Sequence, residues 1–148
     1  MPKILNDVKM YQLNNIHPLF IHFPIALFAT GYLFDLIGIL FNRPKFLIAG
    51  WYNLLIGIPS LLAAVLTGFL ADTLYGHMME PFPLYDTHGI IMIFAGLILI
   101  SVTAIRFKTQ PEFPGDKRTK IVLLLVHGLT LLIIFYGAHL GAILGERI

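Results

Sequence analysis

The sequence predicts an all-α fold, an integral membrane four-helix bundle with up-down topology. Of the 148 residues, 57% are hydrophobic and only 12% are charged, and the mean hydropathy is +0.83, far from the balance of a soluble domain. A bilayer core about 30 Å thick needs about 20 apolar residues per helix. Four such runs, each closed by a short polar connector, take up nearly the whole chain, so residues 1–148 read as one transmembrane domain.

The elements follow in chain order. In residues 1–16, Ile4, Val8 and Tyr11 recur at i, i+4 and i+7 between Lys3, Asp7 and Lys9, the pattern of a short helix lying in the membrane interface. The first apolar run is too long for the core of a cleavable signal and is expected to stay as an anchor. It spans about 18–41 and stops at Asn42-Arg43-Pro44-Lys45. Pro18 suits a helix start, whereas Pro24 removes an internal hydrogen bond and is expected to bend the helix beside His22. The second span, about 46–71, carries Trp51 and Tyr52 as an interfacial belt and Gly57-Ile58-Pro59-Ser60 as an expected kink.

The connector over 72–86 contains His77-Met78-Met79-Glu80-Pro81-Phe82-Pro83 and has acids but no lysine or arginine. The third span is about 87–105, ended by Arg106 and Lys108. A loop with two prolines, a glycine and Lys117-Arg118-Thr119-Lys120 leads to the fourth span, about 121–143. Arg43, Lys45, Arg106, Lys108, Lys117, Arg118 and Lys120 fall on the side of the first and third connectors, with Lys3, Lys9 and Arg147 opposite. The positive-inside rule then puts both termini outside, in the periplasm of a Gram-negative cell. The net charge of +2 therefore belongs to membrane topology and not to a nucleic-acid footprint.

Histidines give the chain its chemistry. An ionisable side chain inside a span is a functional-site hypothesis by default. At 1.5 Å per residue, His22, His88 and His139 fall at one depth near the outer face, on three different helices. His127 lies roughly 18 Å further in than His139, level with Asp35, which proposes an inner Asp35–His127 contact. Ala26 and Ala29 follow His22 on its face, and Gly89 and Gly128 succeed His88 and His127, leaving room beside the imidazoles. Gly137, Gly141 and Gly145 form a doubled G-x-x-x-G stripe on the last helix, and Gly57, Ala64, Gly68 and Ala71 a similar stripe on the second. Both read as packing faces. With no cysteine, disulfides, thiolate-bound iron–sulfur clusters and covalent haem attachment are excluded. Any cofactor rests on histidine, methionine or carboxylate.

The opening HPLFIHFPIAL, the second span ending Thr67-Gly68-Phe69-Leu70-Ala71-Asp72, the histidine that opens the third span, and Gly137-Ala138-His139-Leu140-Gly141 together carry a resemblance. They resemble a bacterial family of four-helix membrane domains of unknown function, whose opening is typically His-Pro-x-x-x-His-Phe/Leu-Pro-Ile. The resemblance covers most of the chain. Its motif positions are His17, His22, Asp72, His88 and His139. Some members are fused to c-type cytochrome or Rieske domains, which implies a redox role. This chain carries no such fusion, so the resemblance implies a separate electron partner, such as a c-type cytochrome.

The expected function is a membrane subunit that binds one haem b near the outer face of the bacterial inner membrane. It would relay electrons between quinone, or a membrane enzyme, and a periplasmic carrier. Two axial histidines leave no open iron position, which suits electron transfer. His22 and His88 are the expected axial pair, on diagonal helices of the bundle, with His139 the competing ligand and His127 a further cofactor-facing candidate. A second reading is a cofactor-free accessory subunit of a larger respiratory or photosynthetic complex. Metal handling through the outer histidines and His77-Met78-Met79-Glu80 is a third. No side-chain constellation resembles a nucleophile or a general base, so chemistry by side chains alone is not expected.

Overall fold

The computed structural model describes residues 16–75, 88–108 and 116–144. The expected interfacial helix over 1–16, except for its last residue, lies outside the described residues. So do His77-Met78-Met79-Glu80, Gly145 and the side chain of Asp72. The described residues form four helices: α1 Ile16–Leu40, α2 Pro44–Tyr75, α3 His88–Phe107 and α4 Lys117–Leu144. All four are long and apolar enough to cross a membrane, and no strand occurs among the described residues. Leu19, Phe23, Leu66, Leu129 and Leu132 are more than half exposed, as side chains facing lipid are in a membrane bundle.

The ends of the helices have local causes. Asn42 adopts a left-handed φ of 51°, and Arg43 N–H donates to Gly38 C=O at 2.9 Å, which is the Schellman way of closing a helix. Pro44 then opens α2, where a missing N–H costs nothing. A three-residue turn is thus enough to reverse the chain. The basic run Lys117-Arg118-Thr119-Lys120 belongs to α4 and not to the loop before it, because Asp116 caps that helix. Thr119 N–H donates to Asp116 Oδ2 at 2.7 Å, and the hydrogen bonds from Thr119 hold the Asp116 carboxyl below the usual carboxylate range. Both α1 and α2 run through their prolines, Pro24 and Pro59, without a break.

Glycines set the approach of the helices. A Cβ at Gly38 would run into Leu47, and one at Gly57 would stand 2.7 Å from the Phe28 ring. One at Gly31 would stand 3.1 Å from Asn53 Cβ. These contacts, descending on one helix as they ascend on the other, make α1 and α2 an antiparallel hairpin. Thr30 Oγ1 adds a hydrogen bond to Asn53 Oδ1 at 3.0 Å. In the same sense Met92 lies on Gly137 and His88 on Gly141, so α3 and α4 form a second antiparallel hairpin. Helices pack more closely within each hairpin than between the two. Phe28, Leu54, Leu61, Ala95, Leu99, Leu131 and Ile134 fill the middle of the bundle, drawn from all four helices, and Val102 and Leu123 continue it toward the α1–α2 turn.

Candidate functional site

Helices α1 and α3 meet through polar side chains at both ends of the bundle. His17 faces His88 at one end and Asp35 faces Arg106 at the other. The spacing explains the repetition, since both intervals are eighteen residues. Eighteen residues are five whole turns at 3.6 per turn, so each pair of residues shares one face of its helix. They also span about 27 Å, close to the thickness of a bilayer's hydrocarbon core. A dry apolar core separates the two ends.

At the histidine end the ring centroids of His17 and His88 are 6.3 Å apart with an interplanar angle of 72°. His88 Nδ1 lies 2.5 Å from Gly137 C=O. A carbonyl only accepts, so His88 carries its proton on Nδ1 and, when neutral, its lone pair on Nε2. His17 Nδ1 lies 3.1 Å from Thr67 Oγ1, and Thr67 Oγ1 in turn donates to Ala64 C=O at 2.9 Å. A hydroxyl that donates to Ala64 C=O keeps a lone pair with which to accept a proton from His17 Nδ1. Glycines seat both rings. A Cβ at Gly141 would lie 2.7 Å from His88 Cε1, and one at Gly68 would lie 3.1 Å from His17 Cε1.

The glycine stripe on α4 and the histidine site are thus one structure. Gly137 supplies a backbone acceptor and Gly141 the space beside it. The small-residue stripe on α2 does the same for α1, with Gly57 under Phe28 and Gly68 under His17.

The other end holds the most deeply buried charges among the described residues. Asp35 and Arg106 are both 0% exposed. Arg106 Nη1 donates to Asp35 Oδ2 at 2.6 Å, and Nη2 donates to Leu47 C=O at 2.9 Å. The guanidinium also lies 5.6 Å from the centre of the Trp51 ring, a cation–π distance, and the Phe107 ring meets the same indole with centroids 5.9 Å apart. Gly50 makes the pocket, because a Cβ there would collide with the Asp35 carboxylate. One arginine from α3 thereby binds α1 and α2 together.

His127 is 2% exposed. It meets Tyr32 edge-on, with ring centroids 5.5 Å apart, and bonds to the Phe28 backbone. The Asp35 partner is Arg106, and His127 sits beside that ion pair, one face occupied by Tyr32.

The remaining sequence candidates lie elsewhere. His22 and His139 are exposed on the outer faces of α1 and α4. The ring opposite His88 is that of His17, because residue 22 is turned about 140° from residue 17 on a helix of 100° per residue. Sequence reasoning had left two members of these sites aside. His17 was read only as part of the opening motif, and Arg106 as a loop cation. The matching intervals His17 to Asp35 and His88 to Arg106 are the signal that finds both.

A family model described as "Predicted membrane protein (DUF2231)" matches residues 13–147. Neither the curated proteins nor the solved structures compared with the chain give a match.

Proposed function

The chain belongs to the DUF2231 family of predicted membrane proteins, and on that footing we propose that it is a b-type haem-binding electron-transfer subunit of the bacterial inner membrane. It passes electrons between quinone, or a membrane enzyme, and a periplasmic carrier such as a c-type cytochrome. His17 and His88 would hold the haem iron.

The observation that carries this reading is the His17–His88 pair, 6.3 Å between centroids, each ring held through its Nδ1. Two imidazoles that held one metal through bonds of about 2 Å, with roughly 1.2 Å from each nitrogen to its ring centre, would have centres up to about 6.4 Å apart, a separation of the size seen here. The number of ligands also points to haem. Among the described residues no three His, Asp or Glu gather as a metal cluster, and a zinc ion takes four donors. A macrocycle brings four nitrogens of its own and asks the protein for two. When bound, haem supplies a one-electron iron couple. The chain's part is to hold two imidazoles at fixed separation, orient them through Thr67 and Gly137, and exclude water with Phe28, Leu61 and Ile134 below.

An optical spectrum of the protein, isolated gently with its partners, tests the proposal. Low-spin b-type bands that sharpen on reduction are expected. Their absence moves the assignment to a cofactor-free accessory subunit, a reading that the exposed His22 and His139 favour, since a neighbouring subunit's helix would cover imidazoles otherwise left facing lipid.

The proposal includes an orientation. Excluding the buried Arg106, six basic residues remain on the side of the first and third connectors, against three on the other. Both termini are then periplasmic. A periplasm-active reporter fused after Arg147 should be active, and the same reporter inserted at Gly115 silent. The reverse pattern would put the histidine pair at the cytoplasmic face and remove the periplasmic carrier as its partner.

A further inference from the structure

The two histidines are held by different means. His88 donates to a backbone carbonyl, Gly137 C=O at 2.5 Å, which no side-chain substitution removes. His17 Nδ1 lies 3.1 Å from a hydroxyl, Thr67 Oγ1, which lies 2.9 Å from Ala64 C=O as its donor. The result is a relay of two hydrogen bonds running from the imidazole into the backbone of α2. The next residue, Gly68, completes the seat, since any Cβ there would stand 3.1 Å from His17 Cε1.

We propose that Thr67 is the positioning residue of this site: it fixes His17 as the Nδ1–H tautomer and sets the donor strength of its Nε2. A bond from Nδ1–H to an acceptor makes the opposite nitrogen more basic, and a stronger donor favours the oxidised metal. An acceptor that is itself a donor strengthens this effect, because successive hydrogen bonds polarise one another. Thr67 is thus the adjustable half of the pair, and the Gly137 carbonyl the fixed half. The consequence for a bound metal rests on the haem reading above, whereas the tautomer itself does not.

The test separates the two. The metal-free full-length protein, labelled with ¹⁵N-histidine and placed in phospholipid nanodiscs, reports the tautomer of each ring through its two nitrogen shifts, with His17→Gln identifying the His17 signals. In the wild type His17 should show a protonated Nδ1 and an unprotonated Nε2. Thr67→Val keeps the shape and removes the acceptor, so the Nδ1–H signal should be lost in favour of Nε2–H, while Thr67→Ser should restore it and His88 should not change. A wild-type His17 protonated on Nε2, or a Thr67→Val spectrum identical to wild type, overturns the proposal.

In haem-loaded protein the midpoint potential should rise in Thr67→Val and return in Thr67→Ser. An unchanged potential overturns the control of donor strength. If the tautomer depends on Thr67 but no haem binds, the haem reading has failed and Thr67 control of His17 stands.

Discussion

Asp35→Leu should be the most destabilising single substitution in the bundle, costing about 3–5 kcal/mol, because it leaves the Arg106 guanidinium buried without its counter-charge. Both side chains are fully buried, so no water is at hand to take over the 2.6 Å contact. Arg106→Met should cost less. A carboxyl left alone can shed its charge by taking up a proton, and a guanidinium cannot. Replacing both residues, Asp35→Leu with Arg106→Met, should recover most of the loss, since an apolar pair of similar volume satisfies the same space. Helical content followed through thermal or denaturant unfolding in mild detergent gives the three values and their coupling. Single variants that unfold with the wild type would mean that the ion pair contributes nothing to holding α1 and α3 together.

That ion pair was half legible in the sequence. Asp35 stands out as a carboxylate inside an apolar run, and the need for a partner follows at once. Shared depth points to His127 as that partner, whereas Arg106 reads as one more cation at the end of a span. The distinction is one of length. An arginine one residue from the end of α3 has a long side chain that reaches back into the bundle, meeting Asp35, Leu47 C=O and Trp51. Depth counted from Cα positions assigns it to the loop. Side-chain reach puts its charge in the core.

The four helices themselves were plain, since a run of about 20 apolar residues has few other uses. What hydropathy does not give is the rotation of each helix about its axis. In water an amphipathic stripe marks the buried face, but in a bilayer the lipid-facing side is as apolar as the core. Hydropathy therefore does not say whether His17 or His22 turns toward the bundle, and depth within the span favours His22. Glycine resolves them, because a helix approaches its neighbour where side chains are smallest. Gly68 and Gly141 each lie against an imidazole, and His22 and His139 are on the opposite surfaces. The stripe on α4 was recognised as a packing face and taken to be separate from the histidines. It is the face on which His88 rests.

Histidine substitutions should divide sharply into two groups. His88→Ala and His17→Ala each remove one side of the 6.3 Å pair, so the low-spin b-type spectrum should vanish or turn high-spin in both, with water entering the space left by the ring. His127→Ala should leave the spectrum intact. Its ring lies beside Tyr32 and the Asp35–Arg106 pair, roughly 15 Å or more along the bundle from His17 and His88. It should instead lower stability, by about 2–4 kcal/mol for a large buried side chain cut back to a methyl group. His22→Ala and His139→Ala should leave both spectrum and fold unchanged, because each ring is exposed on the outside of its helix. Spectra and unfolding curves recorded on the same five variants keep loss of a ligand distinct from loss of the fold. A spectrum lost in His22→Ala but kept in His17→Ala would return the axial role to His22 and require α1 to turn by more than a third of a revolution from the orientation that places Phe28, Gly31 and Asp35 in the core.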